Sequence, residues 1–220
     1  MPAISESVAI AVEPGQRIEA DLIVPDCASG LVVFAHGSGS SRFSSRNRAV
    51  AESLHTRGMA TLLLDLLTKR EESIDVRTAE YRFDVERLGR RVILALDWTS
   101  NRTDLVRLPT GCFGASTGAA AALIAAAERP SIVRAVVSRG GRPDLADAAL
   151  SMVTAPTLLI VGGHDEPVIE LNEDAGARMS SAHVELTIVP GATHLFEEPG
   201  TLEEVERLAG DWFTRFLISP

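Results

Sequence analysis

Short, mainly apolar runs recur along the chain and alternate with longer stretches of helical periodicity. The runs cover residues 31–35, 60–65, 110–113, 133–137, 156–161 and 184–189. Continuous apolar runs of this length are typical of strands that are buried on both faces of a sheet. Between them apolar residues recur three or four positions apart, as at Val85, Leu88 and Val92, which indicates amphipathic helices. Strands that alternate with helices predict an α/β fold with a doubly wound, mostly parallel sheet.

The N-terminal pattern differs from that of the rest of the chain. Residues 8–12 form an apolar run, residues 18–24 alternate apolar and polar positions, and the turn signal Pro14-Gly15 lies between them. We therefore expect an antiparallel hairpin at one edge of the sheet.

Three local features complete the predicted outline. The charged segment 67–77 is predicted to be a loop. Thr201 and Glu204 have the spacing of a capping box at the start of the last helix. The interval 138–155 has room for one short helix only, so we expect no cap domain and a shallow, open site.

The composition is that of an ordinary globular protein. Of the 220 residues, 45% are hydrophobic and 23% are charged, which fits a single domain over residues 1–220. The net charge of −9 argues against a nucleic-acid partner, because binding to a phosphate backbone requires a basic surface. The N-terminus lacks the pattern of a signal peptide, and no stretch approaches the ~20 apolar residues of a membrane span. We expect a cytoplasmic protein without a membrane partner, and we find no signal for an oligomeric state.

The most informative motif is Gly114-Ala115-Ser116-Thr117-Gly118, a G-x-S-x-G sequence between a predicted strand and an alanine-rich helix. In this context the motif forms a sharp strand-to-helix turn that holds the serine in a strained backbone conformation. Side chains two residues to either side of the serine would collide, so glycine is required there. The turn exposes the hydroxyl of Ser116 and points the N–H of Thr117 at the same space. Ser116 is therefore the candidate nucleophile.

A serine hydroxyl needs a general base, and that base needs a third group to hold its tautomer and stabilise its positive charge. The chain order Ser116, Asp165, His194 is the order found in sheet enzymes of this kind, and each residue follows a predicted strand. We expect His194 to be the base and Asp165 the orienting acid. Other residues remain candidates: Glu166 or Asp65 for the acid, and His164 or His183 for the base.

The loop His36-Gly37-Ser38-Gly39 directly follows the first buried strand. Backbone N–H groups aimed at the developing negative oxygen stabilise a tetrahedral intermediate. We expect the N–H groups of Ser38 and Thr117 to form this oxyanion hole, with Gly37 as the alternative to Ser38. His36 and Gly37 are expected to lie against the substrate.

Several arginines follow strands or loops at the same edge of the sheet. Arginine binds carboxylates and phosphates through a two-pronged set of donors. One hypothesis is that Arg42 or Arg139 holds an anionic group of the substrate, and the alternative is that these arginines are structural or solvated. Further arginines lie close by in the sequence, at positions Arg46, Arg48 and Arg142.

Taken together, these motifs resemble the α/β-hydrolase superfamily and, within it, the dienelactone hydrolase-like serine hydrolases. The resemblance extends from His36-Gly37 to the last helix. Dienelactone hydrolases proper use a cysteine nucleophile, whereas this chain has Ser116, which favours the hydrolysis of ordinary esters or thioesters. Similar domains also occur joined to phosphoribosyltransferase domains in bacteria.

The expected activity is hydrolysis of a small or short-chain carboxylic ester through an acyl-enzyme on Ser116. A thioesterase or a lactone hydrolase with the same triad is one alternative, and a non-catalytic binding module with the same fold is another. The mechanism requires no metal or organic cofactor, and Cys27 and Cys112 lack the spacing of a metal site.

Overall fold

An eight-stranded sheet forms the centre of the molecule in the computed structural model, which describes residues 2–218. The strands follow the spatial order β1-β2-β4-β3-β5-β6-β7-β8. Strands β3 to β8 pair in parallel, whereas β2 is antiparallel to both β1 and β4. The mostly parallel α/β fold and the N-terminal hairpin predicted from the sequence are thus confirmed. The strands are β1 (Pro2–Glu13), β2 (Gln16–Pro25), β3 (Gly30–Ala35), β4 (Met59–Leu64), β5 (Thr110–Ala115), β6 (Val133–Arg139), β7 (Thr157–Gly162) and β8 (Val184–Val189).

Helices cover both faces of this sheet. They are α1 (Ser45–Thr56), α2 (Lys69–Thr78), α3 (Val85–Ser100), α4 (Thr117–Glu128), α5 (Glu166–Arg178) and α6 (Thr201–Phe213). Side chains of α1 and α6 share one hydrophobic cluster with the sheet, and side chains of α3, α4 and α5 share the other. A kinked 3₁₀ segment, Pro143–Met152, fills the interval between β6 and β7, which leaves no room there for a cap domain. Among residues 2–218, no helix is both long and apolar enough to cross a membrane.

Most positions of the central strands are apolar because both faces of these strands are buried. On β3, Leu31 and Val33 belong to the cluster beneath α3, α4 and α5, whereas Val32 and Phe34 belong to the cluster beneath α1 and α6. Successive side chains of a strand point to opposite faces. The continuous runs in the sequence therefore reflect two cores on the two sides of one sheet.

The segment predicted to be a loop at residues 67–77 is instead helix α2. Its N-terminus carries a capping box: the Thr68 hydroxyl accepts a hydrogen bond from the N–H of Glu71 at 3.2 Å, and the Glu71 carboxylate accepts one from the N–H of Thr68 at 2.8 Å. Glu71 also contacts Arg87 at 2.7 Å and Arg91 at 2.9 Å. The prediction failed because Glu71, one of the charges that suggested a solvated loop, is neutralised by partners on α3.

The capping box predicted at the start of the last helix is also wrong. Helix α6 begins after Gly200, which adopts a left-handed conformation with φ 82°, and no side chain caps this end. Thr201 is already helical, and its hydroxyl donates to the carbonyl of Glu198 at 2.7 Å. The chain thus enters α6 through a glycine conformation that the spacing of Thr201 and Glu204 does not reveal.

The capping box of α2 generates a stability prediction. Thr68→Ala should lower the free energy of unfolding by about 1 kcal/mol, because the N–H of Glu71 loses its acceptor at a buried position. The matched control is Thr78→Ala at the exposed other end of α2, where the hydroxyl donates to the carbonyl of Ile74 and accepts from the N–H of Glu80 in contact with solvent. Urea unfolding measures both variants. Equal effects of the two substitutions would contradict the assignment of the cap.

Candidate active site

Ser116 occupies the sharp turn between β5 and α4. Its backbone angles are φ 50° and ψ −123°, a conformation that residues with side chains rarely adopt. Its N–H donates to the carbonyl of Arg139 on the neighbouring strand β6 at 3.2 Å. The turn therefore carries the backbone strain expected of a nucleophile elbow, and the serine is held by pairing with β6.

The two glycines of the motif are required by close backbone contacts. A Cβ atom at Gly114 would collide with the backbone of Ala119 on α4, and one at Gly118 would collide with the carbonyl of Ala35 on β3. The helix can begin directly above the strand only because neither side chain exists. This close approach places the N–H of Thr117, the first residue of α4, beside the serine.

The loop that follows β3 packs against Ser116. A Cβ atom at Gly37 would lie 3.0 Å from the Cβ of Ser116, so the loop backbone directly adjoins the serine side chain. Ser38 is half-buried, and the N–H of Ser40 donates to the carbonyl of Gly37 at 3.2 Å, which closes the loop into a turn. Ser38 in this loop and Thr117 at the start of α4 thus flank the same serine.

His36 braces this loop through both of its ring nitrogens. The N–H of Leu66 donates to Nε2 at 3.0 Å, and Nδ1 lies 2.8 Å from the carbonyl of Gly37. Because a backbone N–H can only donate, Nε2 carries no proton, so Nδ1 is the protonated nitrogen and donates to Gly37. Burial lowers the pKa of His36 below 6.5, which favours this neutral form. The side chain of His36 is therefore engaged in holding the loop.

Asp165 and His194 are brought together at the carboxyl ends of β7 and β8. The Asp165 Oδ2 atom lies 2.6 Å from His194 Nδ1. Although Asp165 directly precedes α5, its carboxylate does not cap that helix. It is therefore available to fix the ring orientation and the tautomer of the histidine, with Nδ1 protonated and Nε2 left to accept a proton.

The segment from Thr193 to Glu198, which we call the histidine loop, returns from β8 towards the serine. The Glu198 carboxylate accepts bonds from the N–H of Thr193 at 3.0 Å and from its hydroxyl at 2.7 Å. A Cβ atom at Gly140 would lie 3.6 Å from Cε1 of His194, so the imidazole rests on the residue that follows Arg139. The serine and histidine do not yet share a hydrogen bond, a contact that often tightens only when substrate binds.

The other acids and histidines named as candidates have different surroundings. Asp65 contacts Arg42, and His183 contacts Glu185 at 2.8 Å while it stacks on Trp212. The His194 ring nitrogen is bonded to Asp165 and not to its neighbour Glu166. The exposed side chain of His164 lies in the turn before Asp165. The geometry therefore groups Ser116, Asp165 and His194 at one edge of the sheet.

Arg42 and Arg139 differ sharply in their partners. The guanidinium of Arg42 contacts three carboxylates, those of Glu19, Asp21 and Asp65, and these contacts favour a structural role. Arg139 is 7% exposed and contacts no carboxylate among the described residues. Burial, followed by the charge of Arg46, lowers the pKa of Arg139 to about 10, so it remains a cation at neutral pH.

A small cavity of about 70 Å³ opens beside the serine. Its walls include the loop of residues 36–39, Thr117, and Glu72 and Asp75 of α2, with exposed Val76 at the rim. A larger cavity of about 350 Å³ lies between the N-terminal hairpin and α1, lined by none of the loops described above. Within the described residues, no three His, Cys, Asp or Glu side chains are grouped to hold a metal ion.

The sheet order, the elbow and the acid–histidine pair define an α/β hydrolase fold. The model of the Dienelactone hydrolase family matches residues 18–217 of the chain. The protein belongs to this family and is therefore a member of a hydrolase family.

Comparison with curated proteins places the chain beside two longer relatives from Mycobacterium tuberculosis, strains CDC 1551 and H37Rv. Each bears the name “Putative phosphoribosyl transferase” and is 55% identical over 219 residues. The match covers 100% of this chain and 48% of each relative. The chain thus spans about half the length of the curated relatives it matches.

Solved structures show the same fold. A dienelactone hydrolase from Anabaena variabilis is 54% identical, with a TM-score of 0.94, and the match covers 97% of this chain and 98% of that one. Est1E from Butyrivibrio proteoclasticus is 19% identical, with a TM-score of 0.76 and coverage of 95% and 98%. The second likeness supports the architecture alone.

The buried His36 generates a prediction about pH. Its pKa in the folded protein is below the ordinary value of 6.5. As the pH falls below 6.5, this side chain therefore binds protons more readily in the unfolded chain than in the folded protein. The stabilisation is complete above about pH 6.5 and is lost as the pH falls through the folded pKa. We expect His36→Gln to flatten this acid-side decline in the free energy of unfolding, by at most about 1.4 kcal/mol per pH unit.

His55 provides the control for this experiment. Its pKa is also lowered by burial, but its ring contacts Thr61 at 2.7 Å, away from the loop of residues 36–39. His55→Gln should flatten part of the same decline without affecting hydrolysis, whereas His36→Gln should also lower kcat. Unfolding curves that keep their wild-type pH dependence in His36→Gln would argue against a neutral, buried His36.

Proposed function

We propose that the protein hydrolyses carboxylic esters through an acyl-enzyme on Ser116. The observation that carries the proposal is the 2.6 Å contact between Asp165 and His194 beside a serine with φ 50°. Nε2 of His194 takes the proton of the Ser116 hydroxyl as its oxygen attacks the ester carbonyl. Asp165 holds the proton on Nδ1 and stabilises the imidazolium that forms.

The N–H groups of Thr117 and Ser38 stabilise the negative oxygen of the tetrahedral intermediate in this mechanism. Donors at such positions are worth ~10²–10³ each in rate. His194 then gives its proton to the departing alcohol, and the acyl group stays on Ser116. Water, deprotonated by the same histidine, attacks the acyl-enzyme and releases the acid. Every step uses residues that lie at the carboxyl ends of the parallel strands.

The space around Ser116 supports a small substrate. The adjoining cavity of about 70 Å³ has room for few heavy atoms, and only the short segment Pro143–Met152 lies where a cap domain could cover a long chain. A structural neighbour that bears the name esterase, Pf2001 from Pyrococcus furiosus, is compatible with this chemistry. We assign small or short-chain esters as the substrate class.

Thioesters and lactones would pass through the same acyl-enzyme, so a thioesterase or lactone hydrolase remains the alternative within this mechanism. A binding module without turnover is the alternative outside it. The name of the Mycobacterium tuberculosis relatives refers to phosphoribosyl transfer, yet this chain corresponds to 48% of their length and matches a hydrolase family over residues 18–217. We therefore assign hydrolysis to this chain.

The proposed triad generates a prediction with a built-in control. A fluorophosphonate probe should label the wild type, and Ser116→Ala should abolish the label. Asp165→Asn should lower kcat by ~10⁴, because the histidine loses the partner that holds its tautomer. Glu166→Gln, one residue away on the exposed start of α5, should leave kcat within about twofold of wild type, since single surface changes are usually mild.

A panel of p-nitrophenyl esters with acyl chains of increasing length, assayed beside acyl-CoA thioesters and a small lactone, measures the substrate class. The highest kcat/KM is expected for short acyl chains. Labelling that persists in Ser116→Ala would exclude this nucleophile. The absence of both labelling and turnover in the wild type would favour the binding module.

A further inference from the structure

Arg139 ends strand β6 directly beside the elbow. Its carbonyl accepts the hydrogen bond from the N–H of Ser116 at 3.2 Å. The guanidinium carbon lies 5.8 Å from the centre of the Phe196 ring, two residues beyond His194. With 7% exposure, the side chain is enclosed by the elements that assemble the active site.

This buried guanidinium lacks the partners that a buried charge requires. Its Nε and Nη1 atoms are inaccessible to solvent and form no hydrogen bond with any residue in the described part of the chain. Desolvated charges are strongly destabilising unless they are paired or hydrogen-bonded. The contact with Phe196 is at the outer limit for a cation–π interaction and does not satisfy N–H donors in the guanidinium plane.

A second arginine, Arg46, increases the local positive charge. It lies in the first turn of α1, its Nε is likewise buried without a hydrogen-bond partner, and its charge contributes to the lowered pKa of Arg139. It forms an ion pair in which Nη1 lies 3.2 Å from the carboxylate of Glu197. Glu197 is 65% exposed, so this pair is readily exchanged for solvent or for another anion.

We propose that Arg46 and Arg139 form a binding site for an oxyanion, namely a carboxylate or a phosphate group. Such a group accepts several hydrogen bonds at once and matches the planar donors of arginine. It would satisfy the unpaired N–H groups of both side chains and cancel their mutual repulsion. The positive end of the α1 dipole adds to the attraction. The oxyanion is either free in solution or part of the substrate.

The position of the site connects it to catalysis. Phe196, which lies over Arg139, and Glu197, which contacts Arg46, both belong to the histidine loop. An anion at the two arginines would therefore hold this loop from below, or would orient a substrate whose own anionic group enters there. Binding itself requires no hydrolysis, so the site does not rest on the proposed reaction.

The binding test uses inorganic phosphate and the full chain with Ser116→Ala, in which turnover cannot interfere. Thermal unfolding and calorimetric titration are measured at constant ionic strength, with chloride replacing phosphate in the reference. We expect phosphate to raise the Tm, and we expect Arg139→Met or Arg46→Met to weaken its binding by roughly tenfold or more, the effect of losing a charge-assisted contact. Arg134→Met is the matched control, because Arg134 lies exposed on the same strand.

Hydrolysis assays then identify the source of the oxyanion, with p-nitrophenyl acetate compared with a p-nitrophenyl ester that ends in a carboxylate. If the oxyanion belongs to the substrate, phosphate competes with the acidic ester. Arg139→Met then raises the KM for the acidic ester, relative to the KM for p-nitrophenyl acetate, by about tenfold. If the oxyanion is free in solution, phosphate changes kcat for p-nitrophenyl acetate in the wild type and not in Arg139→Met. Either result supports the site.

Two results would overturn the site. In the first, phosphate shifts the Tm of Ser116→Ala by the same amount as it shifts the Tm of its Arg139→Met and Arg46→Met derivatives. In the second, phosphate shifts the Tm of none of these proteins, and the ratio of the KM values for the two esters is the same in all variants. Arg46 is half-buried, so its substitution is expected to preserve the fold if the change at Arg139 does not. A wild type that binds phosphate but hydrolyses no ester would refute the proposed reaction and leave this site intact.

Discussion

The close approach of α4 to β5 is the constraint on which the rest of the structure depends. Ser116 is held at φ 50°, a backbone conformation that costs ~1–3 kcal/mol and persists only where its surroundings over-determine it. Gly114 and Gly118 allow the helix to begin directly above the strand, and the pairing with Arg139 fixes the turn from the side. Since β5 lies between β3 and β6, the loops that follow these two strands necessarily border the serine.

The position of the base is a consequence of the sheet order. Strands β7 and β8 lie progressively farther from β5, so the residues that follow them must reach back across the edge of the sheet. Asp165 does so directly before α5, and the histidine loop does so with the support of hydrogen bonds from Thr193 to Glu198. The contact between Asp165 and His194 therefore links two loops that are separated by one strand and one helix, and it fixes the imidazole near the elbow.

The sequence was informative wherever the determinants are local. A run such as residues 31–35 indicates a strand buried on both faces, and Gly114-Ala115-Ser116-Thr117-Gly118 indicates an elbow, because the glycine spacing and the turn geometry are encoded in neighbouring residues. It failed where distant residues decide. The carboxylate of Glu71 in α2 is neutralised by Arg87 and Arg91 on α3, and neither partner is adjacent in the sequence. The sequence leaves both Asp165 and Glu166 as candidates for the acid, and only the three-dimensional structure shows that Asp165 contacts His194.

Arg42 and Arg139 also show that the sequence does not reveal the partners of a side chain when those partners are distant in the chain. Both arginines lie near the carboxyl end of a strand that borders the candidate active site, so the sequence pattern does not distinguish them. The structure gives Arg42 three carboxylates and gives Arg139 none. In a chain with 30 acidic and 21 basic side chains, carboxylates are abundant, so an enclosed arginine without one reflects how β6, α1 and the histidine loop pack. The net charge of −9 repels free anions at long range, whereas Arg46 and Arg139 attract them at short range. Under the proposal above, an oxyanion reaches the two arginines against this long-range repulsion and is held by their short-range donors.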